Sequence, residues 1–172
     1  MLNLDEKLLP TVFTLHHVFY SATATERGLS NMPETVAVEE SVLKAARELA
    51  VHVLLPAMER LGGMTINSWF RSSVMNEVVG GVETSQHRRG EAADVDFQVG
   101  LKAAYLGIIE SDIPFDQMIL EIKNSGRWIH LSHKPAPKGQ RRMALLSPAE
   151  LVDGKRVYQP YSMKRLNELL KA

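Results

Sequence analysis

The stretch from Ser85 to Asp94, Ser-Gln-His-Arg-Arg-Gly-Glu-Ala-Ala-Asp, constrains this chain more than any other. It sets an imidazole and a carboxylate seven residues apart, with one glycine and two alanines between them. The glycine lets the backbone turn and the alanines let segments pack close, so His87 and Asp94 can converge on one point. A zinc ion takes three or four nitrogen, oxygen or sulfur ligands in a tetrahedron, and a catalytic site leaves one corner open for water. His87 and Asp94 supply two corners. The third has to come from elsewhere in the chain, and His130, in Arg127-Trp128-Ile129-His130-Leu131-Ser132, is the best candidate.

Composition narrows the chemistry. The chain has 172 residues and no cysteine, so thiol chemistry, iron–sulfur clusters and cysteine-bound zinc are excluded, and any metal must sit on histidine and carboxylate. Hydrophobic residues make up 45% and charged residues 23%, the balance of an ordinary globular domain. Lysine plus arginine equals aspartate plus glutamate at 20 each, without the basic excess of a nucleic-acid binder. Residues 1–25 hold no basic start followed by a long apolar run, so neither a signal peptide nor membrane insertion is expected. The glycine pairs Gly62-Gly63 and Gly80-Gly81 form no phosphate loop, and neither a Gly-x-Ser-x-Gly elbow nor a His-Glu-x-x-His helix occurs.

Along the chain, Thr14 can cap a short helix, and Thr23 to Glu26 has capping-box spacing with Gly28 as a stop. From Pro33 to Leu61, Val38, Val42, Ala46, Leu49, Val53 and Ala57 recur at spacings of three and four, one helical stripe that Pro56 should kink or restart. His52 beside it reads as a packed or partly exposed helix histidine. Met64–Phe70 and Ala92–Phe97 read as strands, with a short helix near Val74–Val79 between them and a longer one over Val99–Glu110. On the second strand Ala92, Asp94 and Asp96 share a face. Phe115–Ile122 and Trp128–Ser132 form a predicted hairpin, Lys134–Arg142 a basic loop, Met143–Leu146 a last edge strand, and Ser162–Leu170 a helix burying Leu166, Leu169 and Leu170. His133, three residues beyond His130 on a strand, is expected to face solvent. The fold class is α+β: a single domain with a small, mainly antiparallel sheet flanked by helices.

The pattern Ser-x-His-x-x-Gly-x-Ala-x-Asp, followed by Trp-x-His, resembles the zinc peptidases of family M15. These are D-alanyl-D-alanine carboxypeptidases, related dipeptidases and phage endolysins, and the hedgehog domain shares their metal site. The resemblance runs from about Phe13 to the 146 region, leaving 147–172 as a C-terminal extension. It implies one Zn2+ held by His87, Asp94 and His130, with Asp96 a rival carboxylate that the pattern does not favour. It implies peptidoglycan stem peptides as substrate, and synthesis in the cytoplasm with action on the wall after phage-type release or from a virion.

Many M15 enzymes carry a glutamate three residues before the last histidine, and here that residue is Arg127. Glu121 is the substitute. With Ser125-Gly126 at the centre of the turn it falls opposite His130, about 5 Å away at Cβ. Arg71 matches an arginine that contacts substrate near the scissile bond, by a bidentate hold on a carboxylate or by stabilising an oxyanion. Ser85 and Gln86 are expected to hydrogen-bond substrate or the second nitrogen of a zinc ligand. Trp69 and Trp128 read as core before cleft, and Arg88, Arg89, Arg141 and Arg142 as a basic surface that is either solvated or attracts the anionic wall. A non-catalytic zinc-binding module for wall recognition or phage structure is the competing expectation, kept alive by Arg127.

Overall fold

The computed structural model describes residues 3, 5–8, 12–135 and 139–171. Lys138 of the basic loop lies outside them. Two short helices come first, α1 (Leu15–Phe19), for which Thr14 is the N-cap, and α2 (Ala22–Arg27). The second starts earlier than its expected capping box: the Ser21 hydroxyl accepts the Ala24 N–H at 3.2 Å, and Gly28 ends the helix in the left-handed conformation.

The predicted stripe forms one helical run in three parts, α3 (Val36–Leu49), a π-helical turn over Ala50–Leu54, and α4 (Leu55–Leu61). The widened turn sits directly before Pro56, where the missing N–H and the proline ring break the normal ladder. Val42, Ala46, Leu49, Val53 and Ala57 are all buried.

Next come β1 (Met64–Ser68), α5 (Ser73–Val78), a 3-10 turn over Gln86–Arg89, β2 (Ala92–Phe97) and α6 (Leu101–Ile109). The hairpin strands β3 (Gln117–Lys123) and β4 (Gly126–Ser132) follow, then β5 (Met143–Ser147). A two-strand arm, β6 (Leu151–Val152) and β7 (Lys155–Arg156), leads to β8 (Gln159–Pro160) and α7 (Met163–Lys171).

Six strands make one sheet in the order β1-β2-β4-β3-β5-β8, antiparallel except for the parallel pair β3 and β5. The α+β expectation holds. No helix among the described residues is long and apolar enough to cross a membrane. Met143–Leu146, however, is not the last edge strand: β5 lies inside the sheet, because it runs parallel alongside β3 and β8 then adds outside it.

The two faces of the sheet differ. One carries Ala93, Val95, Phe97, Met118, Leu120, Ile129, Leu131 and Leu146, which join the helical residues Leu49, Val53, Tyr105, Ile108 and Leu166 in a single core. The other carries Asp94, His130, Ile119 and Leu145 in one cross-strand row, and Trp128, Glu121 and Ser147 in the next. His133 is a correction. It faces away from His130 as strand alternation requires, but it is buried at 6% exposure, stacked on His52 with ring centroids 5.1 Å apart. The face away from His130 is the one the helices cover.

Candidate metal centre

The motif loop is held from behind. Gly90 has φ +70, a conformation that glycine adopts freely and other residues enter at a cost. A β-carbon there would lie 2.7 Å from the Val42 carbonyl oxygen on α3. The Gly90 carbonyl accepts the Trp69 indole N–H at 3.0 Å, tying the loop to the end of β1. Gly90→Ala is therefore expected to lower stability by about 2 kcal/mol or more, and to weaken metal binding with it. Thermal melting and metal titration of the same preparation measure both.

With the loop so placed, His87 stands beside β2 and β4, where Asp94 and His130 are direct cross-strand partners. His87 Nε2 lies 3.2 Å from Asp94 Oδ1 and 3.1 Å from His130 Nδ1, and the last two atoms are 3.0 Å apart. All three residues are buried and form a group able to hold a metal ion. Ligand atoms around a tetrahedral zinc with bonds of about 2.0–2.1 Å stand roughly 3.3 Å from one another. The triangle of donor atoms fits that geometry.

Protonation supports the same conclusion. His87 Nδ1 lies 2.6 Å from the carbonyl oxygen of Trp69, which can only accept. The proton of the neutral ring therefore sits on Nδ1, and the Nε2 lone pair points at the Asp94 carboxylate. Two lone pairs face each other there unless a cation lies between them. Burial pushes the His87 pKa down, against the opposing pull of Asp94, which favours this neutral form. For Asp94, burial acts to raise the pKa, but its two histidine neighbours and the Arg71 guanidinium hold it well below the usual carboxylate range.

Arg71 donates from Nη2 to Asp94 Oδ2 at 2.6 Å and from Nε to the Ser68 hydroxyl at 3.2 Å. Its guanidinium thus neutralises the carboxylate oxygen that faces away from the two histidines. Arg71 Nη1 makes no hydrogen bond among the described residues.

Glu121 does not pair with His130. The hairpin turns on Asn124-Ser125, so Ile119 is opposite His130 and Glu121 is opposite Trp128. The displacement is two residues, which conserves the face: Glu121 is the diagonal neighbour of His130, at a spacing of about 7–8 Å. Its side chain is 13% exposed and lies 3.6 Å from the Lys123 ammonium.

The remaining expected residues fall at varying distances from chemistry. The second nitrogen of His87 is held by a backbone carbonyl, neither by Ser85 nor by Gln86. No residue type encodes that partner, so the sequence carries no signal for it. Ser85 is half-buried, and its hydroxyl has no hydrogen bond among the described residues. Gln86 is buried and donates to Asp116 at 3.2 Å, while its Oε1 has no partner among the described residues. Asp96 accepts from Asn67 at 2.8 Å and stands outside the ligand group. Trp69 is core, whereas Trp128 lies on the metal face with a buried indole N–H that has no partner among the described residues.

The four arginines read as a basic surface serve internal contacts. Arg141 binds Asp116, as does Lys134 at 3.1 Å. Asp116 is fully buried, which acts to raise its pKa, but Arg141 and Lys134 bring it down to about 2. Arg142 donates to the Ile113 carbonyl, Arg88 to the Ser73 hydroxyl, and Arg89 to Glu91 and the Thr84 carbonyl.

Compared with known families, residues 12–132 match the one described as Peptidase M15. No curated protein matches the chain.

Proposed function

The chain belongs to peptidase family M15, and from that premise we propose that it is a zinc-dependent peptidase of peptidoglycan stem peptides. The observation that carries the reading is the buried triangle of His87 Nε2, Asp94 Oδ1 and His130 Nδ1, with every side 3.0 to 3.2 Å and a carbonyl fixing the His87 tautomer. These three atoms would hold the ion. A zinc ion bound there supplies Lewis acidity, polarising the scissile carbonyl and lowering the pKa of a water.

The chain's own residues supply the rest. Glu121 takes the proton from the attacking water and passes it to the leaving amine. Its place on the metal face, one diagonal step from His130, supports this role. Arg71 holds Asp94 as a ligand through Nη2 and offers Nη1 to a substrate carboxylate or oxyanion. Ser85 contacts substrate through the hydroxyl that has no partner among the described residues, and Gln86, whose Oε1 is buried, steadies the loop through its bond to Asp116.

Peptidoglycan as substrate, and service as a phage or prophage endolysin, rest on the resemblance of the motif. Cleavage of terminal D-alanine and cleavage within the stem use the same residues. The assay is release of amino termini and of D-alanine from purified peptidoglycan, beside all-L peptides of the same length. New termini from the wall substrate alone are expected. Cleavage of the all-L peptides would move the reading to another peptide class. Binding to the wall without cleavage would favour the second reading, a zinc-binding recognition module, to which Arg127 in the usual glutamate position points.

A further inference from the structure

The second row of the metal face, Trp128, Glu121 and Ser147, continues across the sheet. Strand β8 pairs antiparallel with β5 through Leu146 with Gln159 and Leu145 with Pro160. Tyr158 stands one residue before β8, and continuing the β5–β8 register brings it toward Ser147, on the side of the sheet that carries Glu121 and His130. This segment is beyond the 12–132 family match.

It is firmly anchored on both sides. Arg156 donates to the carbonyls of Ile122 at 3.0 Å and Pro148 at 2.7 Å, which pins the arm to the hairpin end of β3. On the other side the Tyr161 N–H donates to the Ala144 carbonyl at 3.0 Å, and its ring packs on Tyr105. Between these anchors Tyr158 is 50% exposed, and its hydroxyl makes no hydrogen bond among the described residues. Burial and then the charge of Glu121 push its phenol pKa up, Asp94 adds to the shift, and Arg156 and Arg71 oppose it. Its register beside Ser147, in the row that carries Glu121, puts the phenol at the border of the cleft.

We propose that Tyr158 is a substrate-binding residue, its hydroxyl donating a hydrogen bond to a peptide carbonyl or carboxylate lying between Glu121 and Arg71. The proposal rests on the reading of the chain as a stem-peptide peptidase. It makes the C-terminal arm one wall of the cleft. The backbone around Tyr158 is held by Arg156 on one side and Tyr161 on the other, so little backbone freedom is lost when the peptide binds.

The test is Tyr158→Phe, which keeps the ring and deletes the donor, assayed on the free stem pentapeptide L-Ala-γ-D-Glu-L-Lys-D-Ala-D-Ala. KM is expected to rise about 3- to 10-fold, the size of one hydrogen bond, with melting temperature and metal content unchanged. Calorimetric titration of the same peptide into Glu121→Gln, with and without Tyr158→Phe, should show the same weakening of Kd without turnover. Unchanged KM and Kd beside a native enzyme that cleaves the pentapeptide would overturn the role of Tyr158 alone. A native chain that neither binds nor cleaves it would overturn the stem-peptide reading, and the role of Tyr158 with it.

Discussion

His87→Ala should strip the protein of its metal and its activity together. Elemental analysis of the native chain is expected to find about one zinc per molecule, and the variant to retain little of it. Two ligands on adjacent strands are left in the variant, and the Trp69 carbonyl loses its donor. Because that lost bond is buried, some destabilisation will accompany the loss. Asp94→Asn separates the two effects, since it keeps the shape of the ligand while removing the charge that opposes the histidine lone pair. It should lose metal while leaving the His87–Trp69 contact in place. A native chain that takes up no metal even when zinc is added back would remove the mechanism and leave only the fold.

The second large effect is expected at Glu121. Glu121→Gln preserves size and packing against Trp128 but cannot accept a proton. Turnover should fall by about 10^2- to 10^4-fold, the usual contribution of general acid–base catalysis, at unchanged zinc content. A variant that binds zinc normally and works at the native rate would assign the proton transfer to another group.

Much of this was readable in the sequence because several elements obey one period throughout. The alternation of Ala93, Val95 and Phe97 against Asp94 and Asp96 places β2 where it is found, and the stripe from Val42 to Ala57 places the long helix. The convergence of His87 and Asp94 was legible for a different reason: glycine and alanine between them indicate a close backbone approach, and Gly90 makes it against α3.

The hairpin register was not legible. Asn124-Ser125-Gly126 offers two possible turn centres, and the presence of glycine favours the wrong one. Gly126 has φ +148, so it serves as the first residue of β4, in a conformation that suits glycine, and not as a turn residue. His133 was misread for want of one fact, namely which face of the sheet the helices cover. The parallel β5 had no local signal either. Its connection is organised by Asp116, a buried carboxylate gathering Lys134, Arg141 and Gln86, and such a hub has no spacing rule. Arg89, Arg141 and Arg142 are exposed as a basic surface would be, but composition does not reveal that each also binds a carboxylate or a carbonyl.

The contact behind Gly90 has a consequence for how the sequence can vary. The atom that a β-carbon would strike is a main-chain oxygen, that of Val42, in the middle of a helix. Trimming the Val42 side chain would relieve only its methyl, 3.0 Å away, and would leave the carbonyl where it is. A second-site suppressor of a change at position 90 would have to shift α3 as a body, along with the core residues Ala46, Leu49 and Val53 that it carries. In a saturation library, intolerance at this position should therefore persist across every genetic background that keeps the helix.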